Sequence, residues 1–315
     1  MIIDIDDLFD LKKIAESGQC FRVREFPAGV FRFITGRDVL YIRELKENKY
    51  AVSCTKDKWR KVWRPYFDLD RDYRAINRTV CERDDFLCRA VREGEGIRIL
   101  RQDAWETLVT FIISQRKSIP AIRRVVWELC RRYGTKRPAP EKEKLARALK
   151  LPAEAALPGF MEPGGFPADS KAGQRQQAVD EEEAVFLFPT PRQLRKAREE
   201  DFRDCGAGYR APYLVDAVRR ALDGRLDLKS LENLPDQGLV CALESVRGVG
   251  AKVANCVALF AYGRLACAPV DTWIGKIIKE CYGGRDPFPG YGAAAGIMQQ
   301  YFFFYAQKNP KSLKG

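Results

Sequence analysis

Between Leu239 and Ala261, two segments with helical hydrophobic spacing are interrupted by Arg247-Gly248-Val249-Gly250, a break that no single helix runs through comfortably. Leu239 to Val246 carries apolar residues at helical intervals, with Asp236 as a candidate cap. The second segment puts Val253, Val257 and Phe260 on one face and keeps a neighbouring face small with Ala254, Ala258 and Ala261. The chain must therefore turn tightly, and the two glycines let the backbone come close to its surroundings. N–H groups of the turn and of the second helix's start lack intrahelical partners and lie at the positive end of the helix dipole. Gly248, Gly250 and Val253 are thus candidates for holding a DNA phosphate without reading sequence.

The 315-residue chain has no histidine. Imidazole triads and HExxH zinc sites are excluded, so catalysis falls to Lys, carboxylate, Cys, Tyr or backbone groups. Lys252 lies in the first turn of the second helix, where the dipole opposes a cation and favours the neutral amine that Schiff-base chemistry needs. On position alone it could equally contact phosphate or solvent. Asp271 follows Pro269-Val270 and opens a further helical pattern at Trp273, Ile274, Ile277 and Ile278. As an N-cap its carboxylate would be held fixed, which suits an active-site acid. Lys and Arg total 55 against 43 Asp and Glu, and the net charge of +12 points to a polyanionic partner.

Residues 1–85 alternate as strands do, at Val30 to Ile34, Val39 to Ile42 and Tyr50 to Val52, and predict a small antiparallel sheet domain. From Asp84 the period becomes helical, as in Trp105, Leu108, Val109, Ile112 and Ile113, so 86–315 is expected to be a mainly helical domain with its hairpin at about 239–261. Between about 135 and 186, runs such as Pro163-Gly164-Gly165 and Asp180 to Glu183 predict a mostly flexible insertion with one helix near Lys142–Leu151. The ten cysteines form no C-x-x-C pair and read as reduced thiols rather than a metal or iron–sulfur site. No apolar run is long enough to span a membrane, and the N-terminus does not read as a secretory leader.

With its hairpin, Lys252 and Asp271, the sequence resembles the helix-hairpin-helix DNA glycosylase superfamily, and the lysine resembles that of its bifunctional glycosylase/lyase members. Along most of its length the chain is similar to the 8-oxoguanine DNA glycosylases of the eukaryotic type and their bacterial relatives. Ser17-Gly18-Gln19-Cys20-Phe21-Arg22 resembles a family signature in which the Gly18 carbonyl would accept the N7 hydrogen that 8-oxoguanine has and guanine lacks. Ile97 to Asp103 resembles the entry to the catalytic domain. Gly208-Tyr209-Arg210-Ala211 resembles a wedge, with Tyr209 entering the stack beside the extruded base and Arg210 facing the base left behind. Met298 to Tyr305 resembles the helix that closes the base pocket. There Gln299 would read the Watson–Crick edge, Phe303 at i+4 would stack on the base, and Cys256 would form the opposite wall.

The resemblance implies an α+β chain that excises 8-oxoguanine from damaged double-stranded DNA and nicks the abasic strand in base excision repair. It implies no cofactor, no metal, no membrane and no obligate protein partner, and a monomer working in a bacterial cytoplasm at the nucleoid. Two positions depart from the family pattern. Ser114 to Ser118 replaces an asparagine-rich wedge, leaving Arg116 to enter the gap, and Ala121 stands where an arginine would hold the opposite cytosine, which points to broader opposite-base tolerance. A glycosylase for alkylated purines or oxidised pyrimidines, and a noncatalytic hairpin DNA-binding protein, are the other readings the residues allow.

Overall fold

The computed structural model describes residues 1–80, 85–138, 140–151 and 185–310. Strands β1 (Ile2–Asp4), β2 (Arg24–Phe26), β3 (Val30–Thr35), β4 (Asp38–Lys46) and β5 (Lys49–Val52) form an antiparallel sheet in the order β1-β5-β4-β3-β2. Alternation sends Phe31, Phe33, Leu40, Ile42, Tyr50 and Val52 to one face, where they pack on Trp59, Trp63, Tyr66 and Phe67. Val30, Tyr41 and Ala51 face the other way and meet Leu145 and Leu149. The helix expected inside the insertion is Lys142–Leu149, and it covers the second face of the sheet. The ends of that segment pair as two-residue strands, β6 (Lys136–Arg137) with β7 (Val185–Phe186). Residues 152–184, which contain the Pro163-Gly164-Gly165 and Asp180 to Glu183 runs, lie outside the described residues.

A short helix, Leu11–Glu16, already stands between β1 and β2, and after β5 helical turns begin at Lys56 rather than at Asp84, in short pieces whose aromatic residues lie on the sheet. From Tyr73 the chain packs mainly with the helices, while Trp59 to Phe67 pack on the sheet; Phe21 and Leu100 cross over between the two cores. Arg98 ties the two units together. Wholly buried, it pairs with Asp7 at 2.7 Å, donates to the carbonyls of Leu8, Phe67, Asp68 and Arg71, and lies 3.8 Å over the Tyr73 ring.

Counting helices of eight residues or more, the remainder comprises α1 (Tyr73–Val80), α2 (Asp85–Gly94), α3 (Ala104–Ser114), α4 (Ile119–Tyr133), α5 (Lys142–Leu149), α6 (Ala211–Leu222), α7 (Asp236–Glu244), α8 (Ala251–Tyr262), α9 (Thr272–Cys281) and α10 (Ala295–Lys308). Capped by Asp103, α3 is buried from Trp105 to Ser114 and is the central rod on which α4, α6 and α8 pack. On the other side α10 lies between α2 and α9. Among the described residues no helix is long and apolar enough to cross a membrane.

Candidate active site and nucleic-acid interface

The hairpin joins α7 to α8, and its two glycines do different things. Gly248 has φ +82°, and a Cβ there would come within 2.3 Å of the Tyr213 ring, so backbone and packing both demand glycine. Its carbonyl accepts a hydrogen bond from Gln115 Nε2 at 2.9 Å. Gly250 is extended and has open space where a Cβ would be. The first bond of α8 runs from Ala254 N–H to the Gly250 carbonyl at 3.0 Å, leaving the N–H groups of 251–253 without helical partners. The Val253 side chain is buried, so only its backbone is available to a phosphate. Asp236 is not the cap of α7: Pro235 holds that position, and the carboxylate lies in the first turn, where the dipole still favours it.

Lys252 and Asp271 reach one cavity of about 880 Å³ because α8 and α9 both begin at its wall. Gly18, Arg116, Cys256, Gln299 and Phe303 line the same space. The Lys252 amine lies 5.2 Å from the centre of the Phe111 ring, one helical turn before Cys256. Burial pushes the Cys256 thiol up to about 11, against the pull of the neighbouring ammonium, so it stays protonated. Asp271 caps α9 by accepting from Ile274 N–H at 2.9 Å. Burial raises its carboxyl above the usual range, opposed by the N–H groups of Ile274 and Trp273 and by the Lys252 charge. The pair therefore combines an amine and a fixed acid on one wall of the cavity.

The facing wall is assembled from the two ends of the chain. Gly18 has φ +76°, and a Cβ there would come 2.9 Å from Cε1 of Phe303. Gln19 is not part of the pocket but its strut. It is buried, donates to Ser17 Oγ and to the Arg98 carbonyl at 2.9 and 2.8 Å, accepts from Leu100 N–H at 2.8 Å, and receives Gln102 Nε2 on its own carbonyl at 2.7 Å. Below this loop Arg22 pairs with Glu106 of α3 at 2.9 Å, both side chains almost wholly enclosed. Burial lifts the Glu106 carboxyl to about 7 against the pull of that guanidinium.

Tyr209 and Arg210 lie outside the cavity lining, whereas Arg116 belongs to it. Tyr209 is half exposed and stands edge-on to Tyr213, the ring that covers Gly248. Arg210 does not reach outward. Its guanidinium is buried, lies 4.2 Å over the Tyr209 ring and donates to the Ala207 carbonyl at 3.1 Å, with Nε unpartnered. It braces Tyr209 rather than presenting a charge to an opposite base. Arg116 is exposed at the cavity rim with φ +50°. Burial and the Arg210 charge together lower the Lys117 ammonium below its ordinary range, so the mouth gathers cations. Gln115, Lys117 and Tyr213 escaped the sequence reading because each matters through a partner far along the chain, and Gln300 because an aromatic helix face does not show which of its amides is buried at the cavity. Among the described residues no group of three or more His, Cys, Asp or Glu could hold a metal ion.

Known proteins resemble this chain in sequence and fold. Residues 2–108 match the family model for the N-terminal domain of 8-oxoguanine DNA glycosylase. The Clostridium acetobutylicum 8-oxoguanine glycosylase/lyase, solved with double-stranded DNA containing cytosine opposite 8-oxoguanine, is 30% identical with a TM-score of 0.77, over 98% of each chain. MBOgg1, solved with a low-affinity DNA ligand, is 30% identical with a TM-score of 0.79, over 98% of this chain and 96% of its own. A probable N-glycosylase/DNA lyase of Methanothermobacter thermautotrophicus is 24% identical over 253 residues, 77% of this chain and 72% of that protein. With identity at this level along essentially its whole length, the chain belongs to the 8-oxoguanine DNA glycosylase family.

Proposed function

We propose that this protein is a bifunctional DNA glycosylase and abasic-site lyase that removes 8-oxoguanine from duplex DNA in base excision repair. The observation that carries the reading is the Lys252 amine, held in one cavity with a half-buried, helix-capping Asp271 and facing Gly18, Gln299 and Phe303. Backbone N–H groups at the start of α8 and the cations of the mouth hold the phosphate backbone. The lesion turns out of the stack and enters between Cys256 and Phe303. Lys252 first gives up its ammonium proton to water, and its lone pair then bonds to C1′ as the C1′–N9 bond breaks and its electrons leave with the base, while Asp271 steadies the positive charge on the sugar. A proton passes from the Lys252 nitrogen to the ring oxygen as the sugar opens and the imine forms, and the expelled base then takes the C2′ proton as the 3′ phosphate leaves. Ala121, in the first turn of α4, is too short to hold an opposite base, so the enzyme accepts the lesion opposite more than cytosine. It acts as a monomer in a bacterial cytoplasm, at the nucleoid.

The test is borohydride trapping on a duplex carrying 8-oxoguanine. A covalent adduct is expected with the wild type and none with Lys252→Gln. An uncut 8-oxoguanine duplex beside a cleaved alkylated-purine or oxidised-pyrimidine duplex would move the substrate to another damaged base.

A further inference from the structure

The base-reading wall contains a buried acceptor that nothing in the protein uses. Gln300 is 3% exposed and lines the cavity beside Gln299. Its Nε2 lies 3.5 Å from Gln299 Oε1, and its own Oε1 has no hydrogen-bond partner. Adjacent residues of a helix point about 100° apart, so both amides belong to one site only because the cavity wraps around that side of α10. A buried carbonyl without a donor is costly unless a ligand supplies one.

The chemistry of an oxidised guanine fits that unpartnered carbonyl. Its Watson–Crick edge offers N1–H and a 2-amino group with two further hydrogens, more donors than one glutamine carbonyl can accept. The Gln299 carbonyl already faces the Gln300 amide, which leaves it one lone pair for the base. From this geometry we infer that Gln300 is a second base-reading residue, whose Oε1 accepts a hydrogen of the purine 2-amino group while its Nε2 orients the Gln299 amide. The inference rests on the reading of the cavity as an 8-oxoguanine pocket. It makes the 2-amino group a specificity element in addition to the N7 hydrogen: a purine that lacks it leaves the Gln300 carbonyl orphaned.

The experiment compares single-turnover excision of 8-oxoguanine and 8-oxohypoxanthine, which lacks only the 2-amino group, opposite cytosine in otherwise identical duplexes. The missing group weakens pairing and so favours extrusion of 8-oxohypoxanthine; slower excision of that base therefore reports the pocket and not the duplex. The wild type is expected to prefer 8-oxoguanine by about tenfold or more, as when a site built to bond a polar group loses it. Gln300→Met is expected to bring the two substrates within about twofold, mainly by slowing 8-oxoguanine. Borohydride trapping on abasic DNA, which needs no base, should be unchanged in this variant and shows that the Lys252 wall is intact. Equal excision of both bases by the wild type overturns the role of Gln300 without any variant. So does a Gln300→Met enzyme that traps abasic DNA and keeps the wild-type ratio. A wild type that traps abasic DNA but excises neither base overturns the 8-oxoguanine reading itself, and this inference with it.

Discussion

The two walls of the cavity are held by different kinds of structure. Lys252 and Asp271 each sit at the N-terminus of a helix, so their backbones are set by a few neighbouring residues: the Gly250 extension before α8, and the Asp271 cap on α9. Gly18 and Phe303 come from opposite ends of the chain and meet only because Gln19 is bolted to the Arg98–Gln102 segment. Local geometry serves the bond-making wall, and long-range packing serves the wall that inspects the base. Disturbing the packing should therefore change what is excised before it changes whether the amine reacts.

Lys252→Gln should cause the largest loss, lowering strand nicking by about 10³-fold or more and abolishing trapping on both lesion and abasic DNA. A surviving adduct would break the assignment of nucleophile to the α8 wall and direct attention to Lys117, the other lysine lining the cavity. Asp271→Asn should slow base excision by about 10²- to 10³-fold. It also changes the pH profile. Burial raises the Asp271 carboxyl, so as pH falls the carboxylate is lost earlier than an ordinary aspartate would be. The wild-type rate of base removal should accordingly decline on an acid limb above the usual carboxylate range of about 4, and Asp271→Asn should lack that limb.

The same division explains what could be read in advance. Alternation located β3, β4 and β5, and helical spacing located α3, α4, α8 and α9, because those periods record which face is buried. Lys252 and Asp271 stood out because each carries a local signature, a glycine break or a cap. That Trp59 to Phe67 form helical turns packed on the strands was hidden, since nothing in their spacing says which layer they cover. Gln115 bonding Gly248, Gln19 supporting Gly18, and Arg210 folded onto Tyr209 were likewise unreadable. Each depends on a partner or a burial that no sequence interval displays.

Two hairpin glycines test how local the α8 wall is. Gly248→Ala must hold alanine at φ +82° and drive its Cβ into the Tyr213 ring, and should destabilise the protein by about 2–4 kcal/mol in chemical denaturation. Gly250→Ala meets no protein atom, and its backbone is extended. Its stability should stay within about 0.5 kcal/mol of wild type, while the new methyl group obstructs the surface a phosphate would approach. Equal destabilisation by the two changes would mean that the turn is held by something other than the Tyr213 contact.

Gly18→Ala sharpens the comparison from the other wall. The substitution strains a backbone at φ +76° and places a methyl group 2.9 Å from the Phe303 ring, so the ring must shift out of the plane on which a base would stack. Lys252, Cys256 and Asp271 are on other elements and keep their positions. About a tenfold loss in 8-oxoguanine excision is expected, corresponding to the roughly 1.4 kcal/mol that such a displacement costs in the transition state. Abasic-site trapping should change by less than about twofold, because that reaction presents no base to the displaced ring. If trapping falls in parallel with excision, Gly18 supports the whole cavity and the two walls are one mechanical unit. If excision alone falls, recognition and bond making are separable, as the different construction of their walls requires.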